Sequence, residues 1–241
     1  CGTNLNGAAP RKGAGALGAK ADTGWTALPD APAAQAGAAS APIGLTLYTV
    51  GGDGKVSTFK AFDTWGSKPA HPGARAGMAA AVVPSARLVT AGGFAGGAAS
   101  AAAEMFSTEK DTWEALPAMP TARGNAAAAS VGVFAYLAGG SANGSVSNAF
   151  EVFDVRDKSW KKLPALPTAR EGAVAAKLGQ RVVVAGGKTA SGVTGATEMY
   201  DWEKNEWAAL PAMPTARTGA AYAIYGHHLF VLGGQTASGA T

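Results

Sequence analysis

Four arginines, Arg75, Arg123, Arg170 and Arg217, stand at one recurring position in the chain. A guanidinium is a permanent, forked donor that suits carboxylates and phosphates. Set around a common axis, four of them would form a ring. Their spacing argues against nucleic acid, because phosphate affinity needs clustered cations rather than one per repeat. The other reactive types are few. The histidines are His71, His227 and His228, and the one cysteine is Cys1, so no internal disulfide can form. Adjacent His227 and His228 on a strand would point to opposite faces, a poor arrangement for chelation. No metal site or cofactor is expected. Neither a Gly-x-Ser-x-Gly elbow nor a phosphate loop occurs in a suitable context.

These residues are carried by an internal repeat. Gly-Gly pairs begin at positions 51, 92, 139, 186 and 233, spaced by 41, 47, 47 and 47 residues. Tryptophans keep step at Trp25, Trp65, Trp113, Trp160 and Trp207. The Arg closes a segment reading Leu116-Pro-Ala-Met-Pro-Thr-Ala-Arg123, repeated at Leu163 to Arg170 and Leu210 to Arg217. Weaker copies run from Lys68 to Arg75 and from Leu28 to Gln35, where Gln35 breaks the Arg column. A further column is acidic and aromatic: Glu104-Met-Phe106, Glu151-Val-Phe153 and Glu198-Met-Tyr200.

Short apolar runs bounded by Gly, such as Arg181-Val-Val-Val-Ala185 and Leu229-Phe-Val-Leu232, read as buried strands. The Pro-rich segments cannot pair inside a sheet and read as crossings between units. Charged residues are only 15% of the chain and there are 34 glycines, a composition suited to many short strands and tight turns. Net charge is +4, and no apolar stretch is long enough for a transmembrane helix.

The four columns over about residues 25 to 234 resemble the kelch repeat: an Arg before the first strand, a double Gly closing the second, an aromatic in the third and a Trp in the fourth. The resemblance implies an all-β, kelch-type β-propeller with five visible repeats. Residues 1–24 are expected to be an irregular Gly/Ala-rich arm and 25–241 the propeller. Its blades would fall at about 28–65, 66–113, 114–160, 161–207, and 208–241 joined by the strand around Trp25. The ring is then either closed by both chain ends or belongs to a truncated, larger propeller. The first blade, with loops shortened by three and four residues, should be the smallest and least strand-rich.

The resemblance also implies a function: a non-catalytic protein–protein interaction or scaffold module, of the kind that includes accessory subunits of larger complexes. In some kelch proteins Arg residues at the matching position bind acidic peptides, so the channel-mouth Arg column is the candidate binding set. The opposing reading is that each Arg ties backbone carbonyls of the repeat. Kelch-like copper oxidases need a Cys–Tyr cross-link and His ligands, which Cys1 outside the repeats cannot supply. Two alternatives remain. One is a carbohydrate-active or isomerase-type propeller, with Arg170 or Arg217 beside Glu171 in the channel. The other is an envelope lipoprotein anchored through Cys1; an extracytoplasmic envelope, or else an organelle compartment, is favoured over the cytosol.

Overall fold

The computed structural model describes residues 14–17, 25–28, 38–43, 46–60, 65–225 and 227–240. Four antiparallel four-stranded sheets follow one another along the chain. The first comprises Ala39–Ile43, Thr46–Val50, Val56–Lys60 and Trp65–Lys68, paired in that order. The second runs from Ala79–Val83 to Thr112–Leu116, the third from Ala127–Val131 to Ser159–Lys162, and the fourth from Val174–Leu178 to Glu206–Leu210. A fifth unit begins with the pair Ala221–Tyr225 and His228–Leu232. These are propeller blades, each a meander in which sequence neighbours pair.

The innermost strands are Ala-rich, and all five border one cavity of about 600 Å³, lined by Ala39, Ala79, Ala127, Val174, Ala221 and their neighbours. Small side chains on these strands let the sheets approach each other around a common axis. The hydrophobic core lies between blades rather than within one. Tyr48, Val50 and Val56 of the first blade pack with Met78, Leu88 and Phe106 of the second. Tyr136 and Phe150 of the third pack with Val182, Val184 and Tyr200 of the fourth. Sheet faces buried against a neighbouring blade explain why strands such as Arg181–Ala185 read as near-continuous apolar runs.

In the regular blades the Trp is the second residue of the outermost strand, paired with the aromatic column: Phe106↔Trp113, Phe153↔Trp160 and Tyr200↔Trp207. The indole N–H reaches across to the Pro-rich crossing before its own blade. Trp113 donates to the Pro69 carbonyl at 3.0 Å, Trp160 to Pro117 at 2.8 Å and Trp207 to Pro164 at 2.9 Å. The shortening in the first blade falls on its connections. Gly51–Lys55 is a bare turn where the other repeats insert a two-stranded hairpin, but all four strands are kept. That blade therefore keeps the four-stranded sheet and lacks only the added hairpin.

Part of the stretch expected to be an irregular arm is a strand. Ala14–Leu17 pairs with Trp25–Leu28 as an antiparallel hairpin, with Leu17 opposite Trp25. The alternating apolar pattern of Ala14-Gly-Ala-Leu17 is too short and too small to announce itself in sequence.

Candidate functional site

The Arg column is not a ring facing solvent. Arg123 and Arg170 are fully buried and Arg75 nearly so. Each lies between strands of its own blade and meets the Glu of that blade's third strand. Arg75 pairs with both oxygens of Glu104, at 2.9 and 2.5 Å. Arg123 meets Glu151 at 2.5 Å, and Arg170 bonds Glu198. The remaining donors go to carbonyls: Arg123 Nε to Gly139 at 2.7 Å and Nη2 to Leu137 at 3.2 Å, Arg170 Nη1 to Ala196 at 2.7 Å. Arg217, half-buried, donates to the Gly233 carbonyl at 2.6 Å. Three of the four guanidinium groups of the Arg column are thus closed off from solvent, because a buried cation requires a carboxylate and carbonyls around it.

The Glu column has a second donor at each repeat. Thr121 gives its hydroxyl to Glu151 at 2.7 Å and Thr168 to Glu198 at 2.6 Å. In the second blade Gly73 replaces that Thr, and buried His71 takes over, its Nε2 lying 3.2 Å from Glu104. Burial opposes ionisation of Glu104, but the hydrogen bonds from His71 and Arg75 outweigh it and hold its pKa below the usual value. Burial lowers the pKa of Arg170, against the pull of Glu198. Gln35 lies outside the described residues. The strand facing it in the repeat carries Ser57 in the Glu register, since Phe59 stands opposite Trp65 as Phe106 does Trp113. The acidic column lapses in the same repeat as the basic one.

The double glycines sit where blades meet. Gly139 (φ +64) and Gly140 (φ +108) both take left-handed backbone, and a Cβ on Gly139 would stand 2.2 Å from the Arg170 carbonyl of the next blade. That carbonyl instead accepts the Gly140 N–H at 2.8 Å.

A second belt of backbone bonds surrounds the channel. Asn125 N–H donates to the Gly77 carbonyl at 2.8 Å, Gly172 N–H to Asn125 at 3.0 Å, and Gly219 N–H to Gly172 at 2.8 Å. All four residues have positive φ. The sequence signal is a Gly or Asn two residues after each Arg, which the column reading passed over; Gly37 continues it after Gln35.

Around this belt stand the residues that the repeat leaves free to vary. Four backbone bridges, Ala76↔Phe94, Gly124↔Ser141, Glu171↔Lys188 and Thr218↔Gln235, join the channel rim to the short hairpin after each double Gly. Glu171 accepts from Asn125 Nδ2 at 3.0 Å and from Ser141 Oγ at 2.6 Å, both on one oxygen. Of the alternative that set Arg170 or Arg217 beside Glu171 in the channel, the Arg170 form is not seen: Arg170 is paired with Glu198 while Glu171 accepts from the neighbouring blade. His227 and His228 are exposed on the fifth unit, and Cys1 lies outside the described residues. Among the described residues no group of three or more His, Cys, Asp or Glu is placed to hold a metal ion. No helix among them is long and apolar enough to cross a membrane.

A family model described as the KLHDC2/KLHL20/DRC7 Kelch-repeats domain matches residues 37–234. No curated protein matches the chain.

Proposed function

The chain belongs to the kelch-repeat family, and from that premise we propose that it is a non-catalytic interaction module that holds a protein partner on the hairpin-bearing face of a five-bladed ring. One observation carries the reading. The residues that recur are consumed by the scaffold, whereas the side chains bordering the channel mouth differ at every blade: Phe94, Ser141, Lys188 and Gln235. Variation on a fixed frame is how a rigid scaffold presents specificity. A role as an accessory subunit of a larger complex follows the same logic.

Ring closure is part of the proposal. The hairpin Ala14–Leu17/Trp25–Leu28 would dock on His228–Leu232 as the outer half of the fifth blade. Its register supports this, because Leu17↔Trp25 repeats the pairing of Phe106↔Trp113 and Phe153↔Trp160. So does the apolar surface left on the fifth unit, where Phe230 and Leu232 are 47% and 59% exposed. Exposed strands of this kind require an occupant.

The test is comparative recovery of the native partner. Full-length protein should retain one at fixed stoichiometry, and the triple variant Phe94→Ser/Lys188→Ser/Gln235→Ser should lose it while melting at the same temperature. Undiminished recovery by the triple variant would remove the hairpin face as the binding surface.

A further inference from the structure

Glu171 stands apart from the acids of the repeated column. The column acids Glu104, Glu151 and Glu198 are buried and ion-paired with arginine. Glu171 occupies the rim position that carries Ala76, Gly124 and Thr218 in the other repeats, so the scaffold does not require a carboxylate there. What holds it is neutral. Asn125 and Ser141, both from the preceding blade, donate to the same oxygen, Oε2. Oε1 takes no hydrogen bond from the described residues and is not sealed from solvent. Lys188 lies opposite across the backbone bridge, with N–H to O distances of 2.9 and 2.8 Å, yet its exposed side chain makes no ion pair with Glu171.

Asn125 is a departure of its own. It fills a left-handed position, φ +54, where the other described repeats use Gly77, Gly172 and Gly219. A non-Gly residue there is disfavoured by the backbone, although Asn tolerates it best. Its side chain is therefore the only one on the described belt, and it borders the channel cavity. Two side chains of one blade thus converge on a carboxylate of the next, and one of them, Asn125, lines the cavity of about 600 Å³. Two neutral donors fix the carboxylate's orientation without neutralising it, and its second oxygen is left for a cation.

We infer that Glu171, oriented by Asn125 and Ser141, is an anchor for a basic side chain, Arg or Lys, of a partner segment entering the channel mouth. The inference rests on the hairpin-face reading above and adds the chemistry of the contact. Asn125 and Ser141 are positioning residues. A charge-assisted hydrogen bond to a fixed, partly desolvated carboxylate is among the stronger polar contacts available. The cavity bordered by Asn125 and by Gly172, next to Glu171 in the chain, is lined mainly by Ala and Gly with a few larger apolar residues, which suits the aliphatic stem of Lys or Arg.

The probes are N-acetylated, C-amidated Gly/Ser heptapeptides with one central Arg, Lys, Gln or Glu, titrated into the full chain. Amide shifts of Asn125, Glu171 and Gly172 report binding. The Arg and Lys peptides should move these resonances and the Gln and Glu peptides should not, with weakening as salt rises. Glu171→Gln keeps an acceptor for both donors and should melt unchanged, but lose roughly tenfold in affinity for the Arg peptide. Asn125→Gly, which restores the residue used by the other repeats, should lose affinity to a smaller degree. Unchanged affinity in Glu171→Gln, equal binding of the Glu peptide, or no shift at millimolar peptide would each overturn the anchor. Methylguanidinium alone binding as tightly as the Arg peptide would overturn the commitment to a partner side chain. The hairpin-face reading fails separately, by retention of the native partner in the Phe94/Lys188/Gln235 variant.

Discussion

The guanidinium of Arg123 and the carboxylate of Glu151 meet at 2.5 Å with side-chain exposures of 0% and 1%. A pair so enclosed is held by its hydrogen bonds as much as by charge, since Thr121 and the carbonyls of Leu137 and Gly139 complete its shell. It ties the segment entering the blade to the second and third strands. The same arrangement recurs at Arg75–Glu104 and Arg170–Glu198.

Removing one member leaves a buried charge with no counter-ion. Arg123→Met or Glu151→Ala should each destabilise the chain by about 3–5 kcal/mol. The double replacement Arg123→Met/Glu151→Leu should cost less than the sum of the singles. Urea unfolding of the three variants measures the coupling directly.

The acid limb of stability should report Glu104. Its folded pKa lies below its unfolded value of about 4.5, so its stabilising contribution is complete above that value. That contribution is lost as pH falls through the lower folded pKa. Melting temperature followed from pH 6 to pH 2.5 should drop in the wild type, and less steeply in Glu104→Gln, whose baseline stability is already reduced.

Glycine substitutions should separate conformation from packing. Gly139→Ala meets both a positive φ and the Arg170 carbonyl at 2.2 Å. Gly144→Ala meets a positive φ with nothing within 4 Å. The second should cost about 1 kcal/mol and the first clearly more, as read by chemical denaturation.

Ring closure by the N-terminal hairpin makes its own prediction. Deleting residues 1–28 should uncover Phe230 and Leu232 to the solvent or to other molecules, giving concentration-dependent self-association by analytical ultracentrifugation and a lower melting temperature. A truncated chain that stays monomeric and equally stable would argue against the hairpin as the missing half-blade.

Much of the scaffold was legible because the repeat writes each structural demand several times. The double Gly, the Trp and the acidic-aromatic column each mark a strand end or a strand centre. What one column contributes chemically was harder to read. An Arg on a repeat looks the same whether it faces a partner or a Glu of its own blade, and the Glu104, Glu151 and Glu198 column was visible without its pairing being evident. The compensation of Gly73 by His71 depends on a contact between separate segments, so no local pattern announces it. Glu171 stood out by sequence as a departure among Ala76, Gly124 and Thr218, but its meeting with Asn125 and Ser141 is set by blade-to-blade packing. The Ala14–Leu17 strand was missed because four small residues carry no periodic signal.

The central claim is that the variable hairpin face, not the outer rim of the blades, carries the partner. The most direct measurement is quantitative recovery of the native partner by three proteins: wild type, the Phe94→Ser/Lys188→Ser/Gln235→Ser variant, and an outer-rim control, Lys158→Ser/Lys161→Ser/Lys204→Ser. The account predicts equal recovery by wild type and control and loss by the hairpin variant. Loss by the outer-rim control with full recovery by the hairpin variant would contradict it.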